Sequence, residues 1–268
     1  MTKELLLIPG PVNVGAAVLA AAGRPMIDHR GPAFATLLGR IGEALRPLFG
    51  TSSDVVLLGG SGTAGLDAAI ASQFGPGDRL VAAPVGVFGR RLVAIARTYG
   101  CEVEVLETPA GAALDPDVLR ERLAADRDGR IAGVLLTQNE TSTGVQNDVE
   151  ALSRAIGEHP AIVVVDAVSG LGASRFAMDD WRFDVVVGAS QKVLAAPPGL
   201  AMLALSARSW KRAEAPRAPR FSLDLARARD FARLGQTPWT PPVSIVFALD
   251  AALEAFACEG APNVWRRH

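Results

Sequence analysis

The chain has 268 residues, of which 49% are hydrophobic and 21% are charged, and its formal net charge is −1. These values are ordinary for a globular protein with a large core, and the near-zero charge argues against nucleic acid as the main partner. Two distant cysteines and three scattered histidines form neither a disulfide framework nor a pattern typical of a metal site.

Short apolar runs alternate along the chain with stretches of helical periodicity. Several runs are almost wholly apolar, as is typical of strands covered on both faces. Asp115 has the pattern of an N-cap for a helix over 116–125, and another helix is predicted from Val243 to about Cys258. The alternation predicts an α/β fold of three layers, a mostly parallel seven-stranded sheet with helices on both faces. The predicted strands are 54–58, 79–83, 101–106, 131–137, 161–166, 184–188 and 200–205.

A glycine-rich turn at 59–65 (GGSGTAG) follows the first predicted strand and precedes an apolar helix. Such a turn offers free backbone N–H groups and the positive end of the helix dipole to an anion. Ser61 and Thr63 could add hydroxyl donors. The turn lacks the Gly-Lys-Ser/Thr of a Walker loop and is not a clean G-x-G-x-x-G, so a plain tight turn is the alternative.

Lys192 is one of only three lysines, against 24 arginines, and it follows an apolar predicted strand. A desolvated lysine amine can lose its proton and attack a carbonyl carbon to form an imine, whereas an arginine stays protonated. The position therefore suggests a Schiff-base lysine, and a surface lysine after a strand is the alternative.

Asp166 ends the very apolar strand 161–166, where open α/β sheets bind ligands. A carboxylate there needs a cationic partner, and a protonated ring nitrogen of a cofactor would serve. A capping aspartate is the alternative.

Two further groups also follow predicted strands. Residues 139–144 (NETSTG) form a polar cluster suited to binding a ligand, although a solvated loop is the alternative, above all at Glu140. Phe88 could stack on a planar ring or belong to the core. Together the chain offers an anion cradle, a ring platform, a buried carboxylate and an imine-forming lysine, which match the needs of pyridoxal phosphate.

With these residues in place, the chain resembles the class V aminotransferases of fold type I, in the alanine–glyoxylate and serine–pyruvate aminotransferase group. The resemblance extends over nearly the whole chain, from 9–14 (PGPVNV) to 263–267 (NVWRR). It implies a transaminase that uses pyridoxal phosphate to move an amino group from a small amino acid, of alanine or serine type, to a 2-oxo acid such as glyoxylate or pyruvate. The motifs that carry it are 26–30 (MIDHR), 60–63 (GSGT), 139–144 (NETSTG), 165–169 (VDAVS), 190–192 (SQK) and 240–243 (TPPV).

The resemblance implies two catalytic residues. Lys192 would form the Schiff base with the cofactor and shuttle the proton during transamination. Asp166 would pair with the pyridinium nitrogen and keep the ring an electron sink. Ser61, Gly62 and Thr63 would hold the phosphate.

Five more roles follow from the same resemblance. Gln191 would help to hold the phosphate, and Phe88 would stack on the ring, where relatives often have tryptophan or tyrosine. Ser142 would contact the phenolic side of the cofactor and the substrate, and Gly10 would line the substrate pocket. Thr240 would reach the phosphate of the partner subunit's site, so a homodimer is expected.

The chain departs from the family at two places. Thr237 stands where relatives have a tyrosine that contributes to the phosphate site. The family also continues into a small C-terminal domain with the arginine that binds the substrate carboxylate, and Arg267 does not match it. We therefore expect an N-terminal arm at 1–15, a large domain that binds pyridoxal phosphate at 16–242, and a connecting helix at 243–268 leading into a small domain that is largely missing.

Other interpretations of the sequence stay open. A truncated or non-catalytic protein that binds pyridoxal phosphate would fit the absent arginine. A class V lyase or desulfurase would need a mobile cysteine, whereas Cys101 and Cys258 are predicted in a strand and a helix. A nucleotide-binding dehydrogenase would need a glycine fingerprint that the chain lacks. The chain also has no apolar run of membrane-spanning length and no signal peptide, so we predict a cytoplasmic protein without a membrane partner.

Overall fold

A computed structural model of the chain describes residues 4–215 and 217–268. Seven strands form the main sheet, and all seven lie where the sequence predicts them, with ends that differ by at most one residue. The polar segment after the fourth strand adds a two-stranded hairpin that the sequence analysis did not predict. The strands are β1 (Val55–Gly59), β2 (Arg79–Ala82), β3 (Glu102–Val105), β4 (Ile131–Thr137), β5 (Asn139–Glu140), β6 (Val145–Gln146), β7 (Ile162–Asp166), β8 (Val185–Ala189) and β9 (Leu200–Leu205).

The main sheet has the order β1-β9-β8-β7-β4-β2-β3. Strands β8, β7, β4, β2 and β3 are parallel to one another, and β9 runs antiparallel to both of its neighbours. Every residue of β7, β8 and β9 is buried, because helices cover both faces of the central strands. The prediction of a mostly parallel seven-stranded sheet is confirmed.

Ten helices connect and cover the strands in the described part of the chain. Two predicted helices are confirmed, with observed ranges Pro116–Ala124 and Val243–Glu259. Asp115 caps the first of them through a hydrogen bond from the Asp117 amide to Asp115 Oδ1 (2.9 Å). The helices are α1 (Ala16–Ala22), α2 (Pro32–Phe49), α3 (Gly62–Gln73), α4 (Val87–Thr98), α5 (Pro116–Ala124), α6 (Val149–Ile156), α7 (Ala207–Ala213), α8 (Leu225–Arg233), α9 (Val243–Glu259) and α10 (Ala261–Arg267).

The sheet separates two apolar cores. Alternate residues of one strand face opposite sides, so Val134 and Leu136 of β4 join one core while Leu135 joins the other. Helices α1, α2, α5, α6 and α9 supply the first core, and α3, α4, α7 and α8 supply the second. The predicted three layers are therefore confirmed.

Helix α9 begins at Val243, as predicted, but it does more than lead away from the sheet. Phe247 and Leu249 are buried in the first core, where α9 packs against α1 and α2. Because these apolar side chains are buried against α1 and α2, the first part of the segment 243–268 belongs to the same hydrophobic core as the residues before it.

Candidate active site

The predicted site residues gather at the carboxyl edge of the parallel strands. Asp166 is the last residue of β7, and the turn that opens α3 follows the end of β1 at the same edge of the sheet. The close packing of α3 on the sheet explains two glycines. A Cβ at Gly62 would lie 2.8 Å from a Val168 methyl group, and one at Gly65 would lie 2.8 Å from a Val187 methyl group.

Ser61, Gly62 and Thr63 form the start of α3, as the glycine-rich turn predicts. Ser61 is the N-cap residue, and its side chain accepts a hydrogen bond from the Ala64 amide at 3.3 Å. The amides of Gly62 and Thr63 lie in the first helical turn, where no preceding turn supplies carbonyl partners. These amides and the helix dipole are suited to an anion.

Asp166 is 5% exposed, and its Oδ1 accepts a hydrogen bond from the Val168 amide at 2.9 Å. Burial raises the pKa of Asp166 to about 6, and the negative charge of Glu140 adds to this effect. The hydrogen bond from Val168 and the positive charges of Arg91 and Lys192 oppose it. A buried carboxylate with this pKa would be stabilised by a cation placed against it.

Lys192 lies in the loop between β8 and β9, and its amine contacts the N-terminal segment. The Nζ atom donates to the Pro9 carbonyl oxygen at 3.3 Å. Gly10 has a φ of +144°, which strains any other residue, and a Cβ added there would lie 2.8 Å from Nζ and displace the amine. Burial lowers the pKa of Lys192, partly opposed by the charge of Asp166, and this favours the neutral amine that acts as base or nucleophile.

Glu140 joins two predicted cofactor residues, although the sequence suggested a solvated side chain. It is fully buried and accepts hydrogen bonds from the amides of Phe88 (3.1 Å), Gly89 (3.0 Å) and Ser142 (3.1 Å). The Ser142 hydroxyl also donates to Glu140, at 2.7 Å, and accepts from the Val87 amide. The carboxylate therefore caps α4 and ties Phe88 to the loop that carries Ser142.

The hydrogen bonds keep Glu140 charged inside the protein. Burial raises the pKa of its carboxyl, but the bonds from Ser142 and from the amides of Gly89 and Phe88 more than offset this and leave a net lowered pKa. One signal in the sequence could have indicated the contact. Helix α4 begins after Gly86 without an acidic residue or a capping side chain of its own, so its first amides need an acceptor from elsewhere.

Replacing Glu140 with alanine is expected to destabilise the protein by about 3 kcal/mol, since it leaves the buried amide of Gly89 and the partly buried amides of Phe88 and Ser142 without an acceptor. Because the folded pKa of Glu140 is lowered, its contribution exists above the unfolded pKa of the carboxyl and is lost as pH falls through the folded pKa. Urea unfolding at pH 7 and pH 4 measures both effects. Exposed Glu107, which pairs with Arg90, is the control, and its replacement by alanine should change stability by less than about 1 kcal/mol. Equal effects of the two replacements would contradict a capping role.

Ser142 is exposed, and its single hydroxyl proton is directed to Glu140. A ligand at this point would therefore meet Ser142 Oγ as an acceptor unless the hydroxyl rotates. The side-chain oxygen of Gln191 is buried without a hydrogen-bond partner among the described residues.

Thr240 lies in the loop that leads into α9, and Pro242 of this segment lies near Gly59, where an added Cβ would be 3.3 Å from Pro242 Cδ. Thr240 is exposed, and the described residues give it no hydrogen bond to another site residue. The Thr237 hydroxyl donates its proton to the Trp239 carbonyl oxygen at 2.7 Å, a hydrogen bond within the loop itself.

Neither cysteine has the features of a mobile nucleophile. Cys101 is buried, and burial raises its pKa to about 11, so its thiolate is disfavoured at neutral pH. Cys258 is exposed on α9. Within 4–215 and 217–268 there is no group of three or more His, Cys, Asp or Glu residues suited to a metal ion, and no helix of these ranges has the length and apolarity to cross a membrane.

An α/β sheet of this order, with a buried aspartate, a glycine-rich anion turn and a desolvated lysine at its carboxyl edge, defines an enzyme that uses pyridoxal phosphate. The sequence model of the family described as aminotransferase class-V matches residues 17–268. The chain belongs to this family and is a transaminase dependent on pyridoxal phosphate.

Individual relatives are similar to the chain over 99% or more of its length. The chain is similar to the "Soluble hydrogenase 42 kDa subunit" of Anabaena cylindrica, with 37% identity over 99% of this chain and 70% of that protein. It is 38% identical to the L-aspartate–glyoxylate aminotransferase of Paracoccus denitrificans, over 100% of this chain and 68% of that protein. The crystal structure of an alanine–glyoxylate aminotransferase from Nostoc sp. has a TM-score of 0.94 at 32% identity, over 100% of this chain and 71% of that chain.

The residues present fit the cofactor. Burial makes the Asp166 carboxylate costly, and a protonated ring nitrogen would relieve that cost. The first amides of α3 have no helical partner and suit a phosphate. The Oε1 atom of half-buried Gln191, next to Lys192 in the chain, is buried without a hydrogen-bond partner among the described residues, as expected of a group that a ligand completes.

Proposed function

We propose that the chain transfers an amino group from a small amino acid, of alanine or serine type, to a small 2-oxo acid such as glyoxylate or pyruvate. The main observation behind this proposal is that the Lys192 amine lies against Pro9 and Gly10. A desolvated base is therefore next to a narrow part of the site that is lined by glycine. The printed names of two relatives, L-aspartate–glyoxylate aminotransferase and serine–glyoxylate aminotransferase, support glyoxylate as the acceptor.

Individual residues of the chain would each have one role in the reaction. When bound, pyridoxal phosphate supplies an aldehyde that reacts with amines and a ring that accepts electron density. Lys192 would anchor the aldehyde end and, as a neutral amine, take a proton from the substrate α-carbon and return it. Asp166, ionised beside a cationic ring nitrogen, would keep that nitrogen protonated.

The remaining predicted residues would position the cofactor. Ser61, Gly62 and Thr63 would bind its phosphate through hydroxyl and amide groups at the start of α3, with Gln191 beside them. Phe88, held by Glu140, would form a face of the ring site. The hydrogen bonds from its amide to Glu140 would fix the backbone of Phe88 at the start of α4.

Ser142 and Gly10 would complete the site on the substrate side. Ser142 would accept a hydrogen bond from the phenolic side of the cofactor or from substrate, because its own proton is donated to Glu140. Gly10 would leave room for substrate next to Lys192, since any larger residue would push against the amine.

A homodimer is part of the proposal, as are the domain limits of 1–15, 16–242 and 243–268. Thr240 is exposed and forms no hydrogen bond to another predicted site residue among those described, and Leu5, Leu7 and Ile8 expose apolar side chains in the N-terminal arm. A second subunit that covers this arm and receives Thr240 would account for both features. Two free cysteines are consistent with the reducing cytoplasm.

The test combines anchoring and turnover. The purified chain is mixed with pyridoxal phosphate, its visible absorption is recorded, and the mixture is reduced with borohydride for peptide mapping. Alanine, serine and aspartate are then offered with glyoxylate or pyruvate. We expect one adduct on Lys192 and transfer from at least one donor to glyoxylate or pyruvate. Labelling of Lys211 instead would contradict the anchoring, and a stable Lys192 adduct without transfer would favour the non-catalytic alternative.

A further inference from the structure

Arg91 stands between two groups of residues in the proposed cofactor site. Its Nη1 donates to the Thr63 hydroxyl oxygen at 3.2 Å, and its Cζ lies 4.7 Å from the centre of the Phe88 ring. Thr63 belongs to the first turn of α3, and Phe88 belongs to the first turn of α4. One guanidinium thus connects the predicted phosphate turn with the predicted ring platform.

The charge of Arg91 is not neutralised within the described part of the chain. No carboxylate of residues 4–215 or 217–268 lies within ion-pair distance of its guanidinium, whereas adjacent Arg90 pairs with Glu107 at 2.9 Å. The two arginines therefore face different surroundings, although they are neighbours in sequence. Burial is the main influence on the pKa of Asp166 and raises it, while the charge of Arg91 acts in the opposite direction, which places that charge within reach of the site.

The donors of Arg91 are also largely free. A guanidinium has five N–H groups in a planar fork, and the Thr63 hydroxyl accepts from one of them. The fork matches two oxygens of a phosphate, and such charged pairs are the stronger hydrogen bonds of proteins. The first amides of α3 and the positive end of its dipole lie on the same side, next to Thr63.

We propose that Arg91 binds the phosphate of the cofactor and makes this chain favour phosphorylated over unphosphorylated pyridoxal. The inference rests on the proposed cofactor site at Ser61–Thr63. The hydrogen bond to Thr63 fixes the position of the guanidinium next to the start of α3. The Phe88 ring limits its motion from the other side, so that little side-chain entropy is lost when the phosphate arrives.

The experiment compares two ligands that differ only in the phosphate. Equilibrium affinities of pyridoxal phosphate and of pyridoxal are measured by absorbance titration for the wild type, Arg91→Gln, Arg91→Lys and Arg90→Gln. Both ligands carry the aldehyde, so the contribution of Lys192 cancels in the ratio of affinities. Urea unfolding of each variant without ligand confirms that the fold is intact.

We expect Arg91→Gln to lose about 10- to 100-fold in affinity for pyridoxal phosphate, the scale of a charged hydrogen-bonded pair, and less than about twofold for pyridoxal. Arg91→Lys should retain part of the preference, and Arg90→Gln should retain all of it. Salt should weaken the preference of the wild type more than that of Arg91→Gln. An equal loss for both ligands would show that Arg91 only supports Phe88, and no loss for either would also overturn the inference. A wild type that binds neither ligand would instead overturn the proposed function itself.

Discussion

Replacing Lys192 with alanine is expected to reduce amino-group transfer by at least about 10³-fold, the upper scale of general acid–base catalysis, because the chain then lacks both its anchor and its base. The fold should persist. The Lys192 side chain is half-buried and its one hydrogen bond goes to the Pro9 carbonyl oxygen, so truncation leaves no buried charge behind. Turnover, visible absorption after addition of pyridoxal phosphate and mass after borohydride reduction measure the three expected losses.

Lys211 provides the matched control for this prediction. It is the other lysine within the described residues, it is exposed, and it lies on α7. Alanine at position 211 should leave turnover, absorption and the borohydride adduct unchanged. Comparable activity of the Lys192→Ala variant and the wild type would contradict the assignment of the catalytic lysine, and the same loss in both variants would indicate that anchoring is not site-specific.

Replacing Asp166 with asparagine is expected to have opposite effects on stability and on function. Without cofactor, the buried carboxylate of the wild type costs stability once it is ionised, and its pKa of about 6 stands against an unfolded value of 3.8. A difference of this size corresponds to roughly 3 kcal/mol at most. The asparagine variant should therefore be more stable than the wild type at pH 7.5 when no cofactor is bound.

The sign of the pH dependence follows from proton binding. Between pH 4 and pH 6 the folded wild type holds the Asp166 proton more tightly than the unfolded chain does, so its stability falls as pH rises through this window. The advantage of Asp166→Asn should be absent below about pH 4 and complete above about pH 6. Urea unfolding at four pH values measures it. A constant difference at every pH would contradict the assigned titration.

Cofactor should reverse the order of the two proteins. An ionised Asp166 can pair with a cationic ring nitrogen, whereas an amide cannot, so pyridoxal phosphate should stabilise the wild type more than the variant and support about 10- to 100-fold faster turnover. Asp184 is the control because it is also buried but already has a cation, Arg208, beside it. Asparagine there should destabilise the protein at pH 7.5 with or without cofactor.

The two buried carboxylates of the site, Asp166 and Glu140, show what the sequence pattern can and cannot predict. Asp166 is visible in the sequence because it ends an apolar strand, where a charge is out of place without a ligand. Glu140 carries no such signal, because a polar loop after a strand usually faces solvent. Two of its hydrogen-bond donors, the amides of Phe88 and Gly89, come from α4, about fifty residues earlier. Only the neighbouring positions of β4 and β2 bring the loop to that helix.

The position of Arg91 at the candidate site could not be predicted from the sequence, for a related reason. Arg90 and Arg91 are adjacent and chemically identical, so sequence alone cannot say which of them pairs with a carboxylate and which faces the site. Successive helical residues point about 100° apart, and the direction of α4 relative to α3 decides their surroundings.

The sequence by itself determined the strand positions and the three layers, because these depend on local hydrophobic periodicity. It also indicated the glycine-rich turn, Asp166 and Lys192 as candidate site residues, because their residue types are unusual next to apolar strands. Tertiary structure alone decided which groups meet. The strand order β1-β9-β8-β7-β4-β2-β3 brings distant loops to one edge, and the fold places the Lys192 side chain directly against Gly10. Local energies select the elements, whereas the surroundings of a charge, and with them its pKa, exist only once the sheet has assembled.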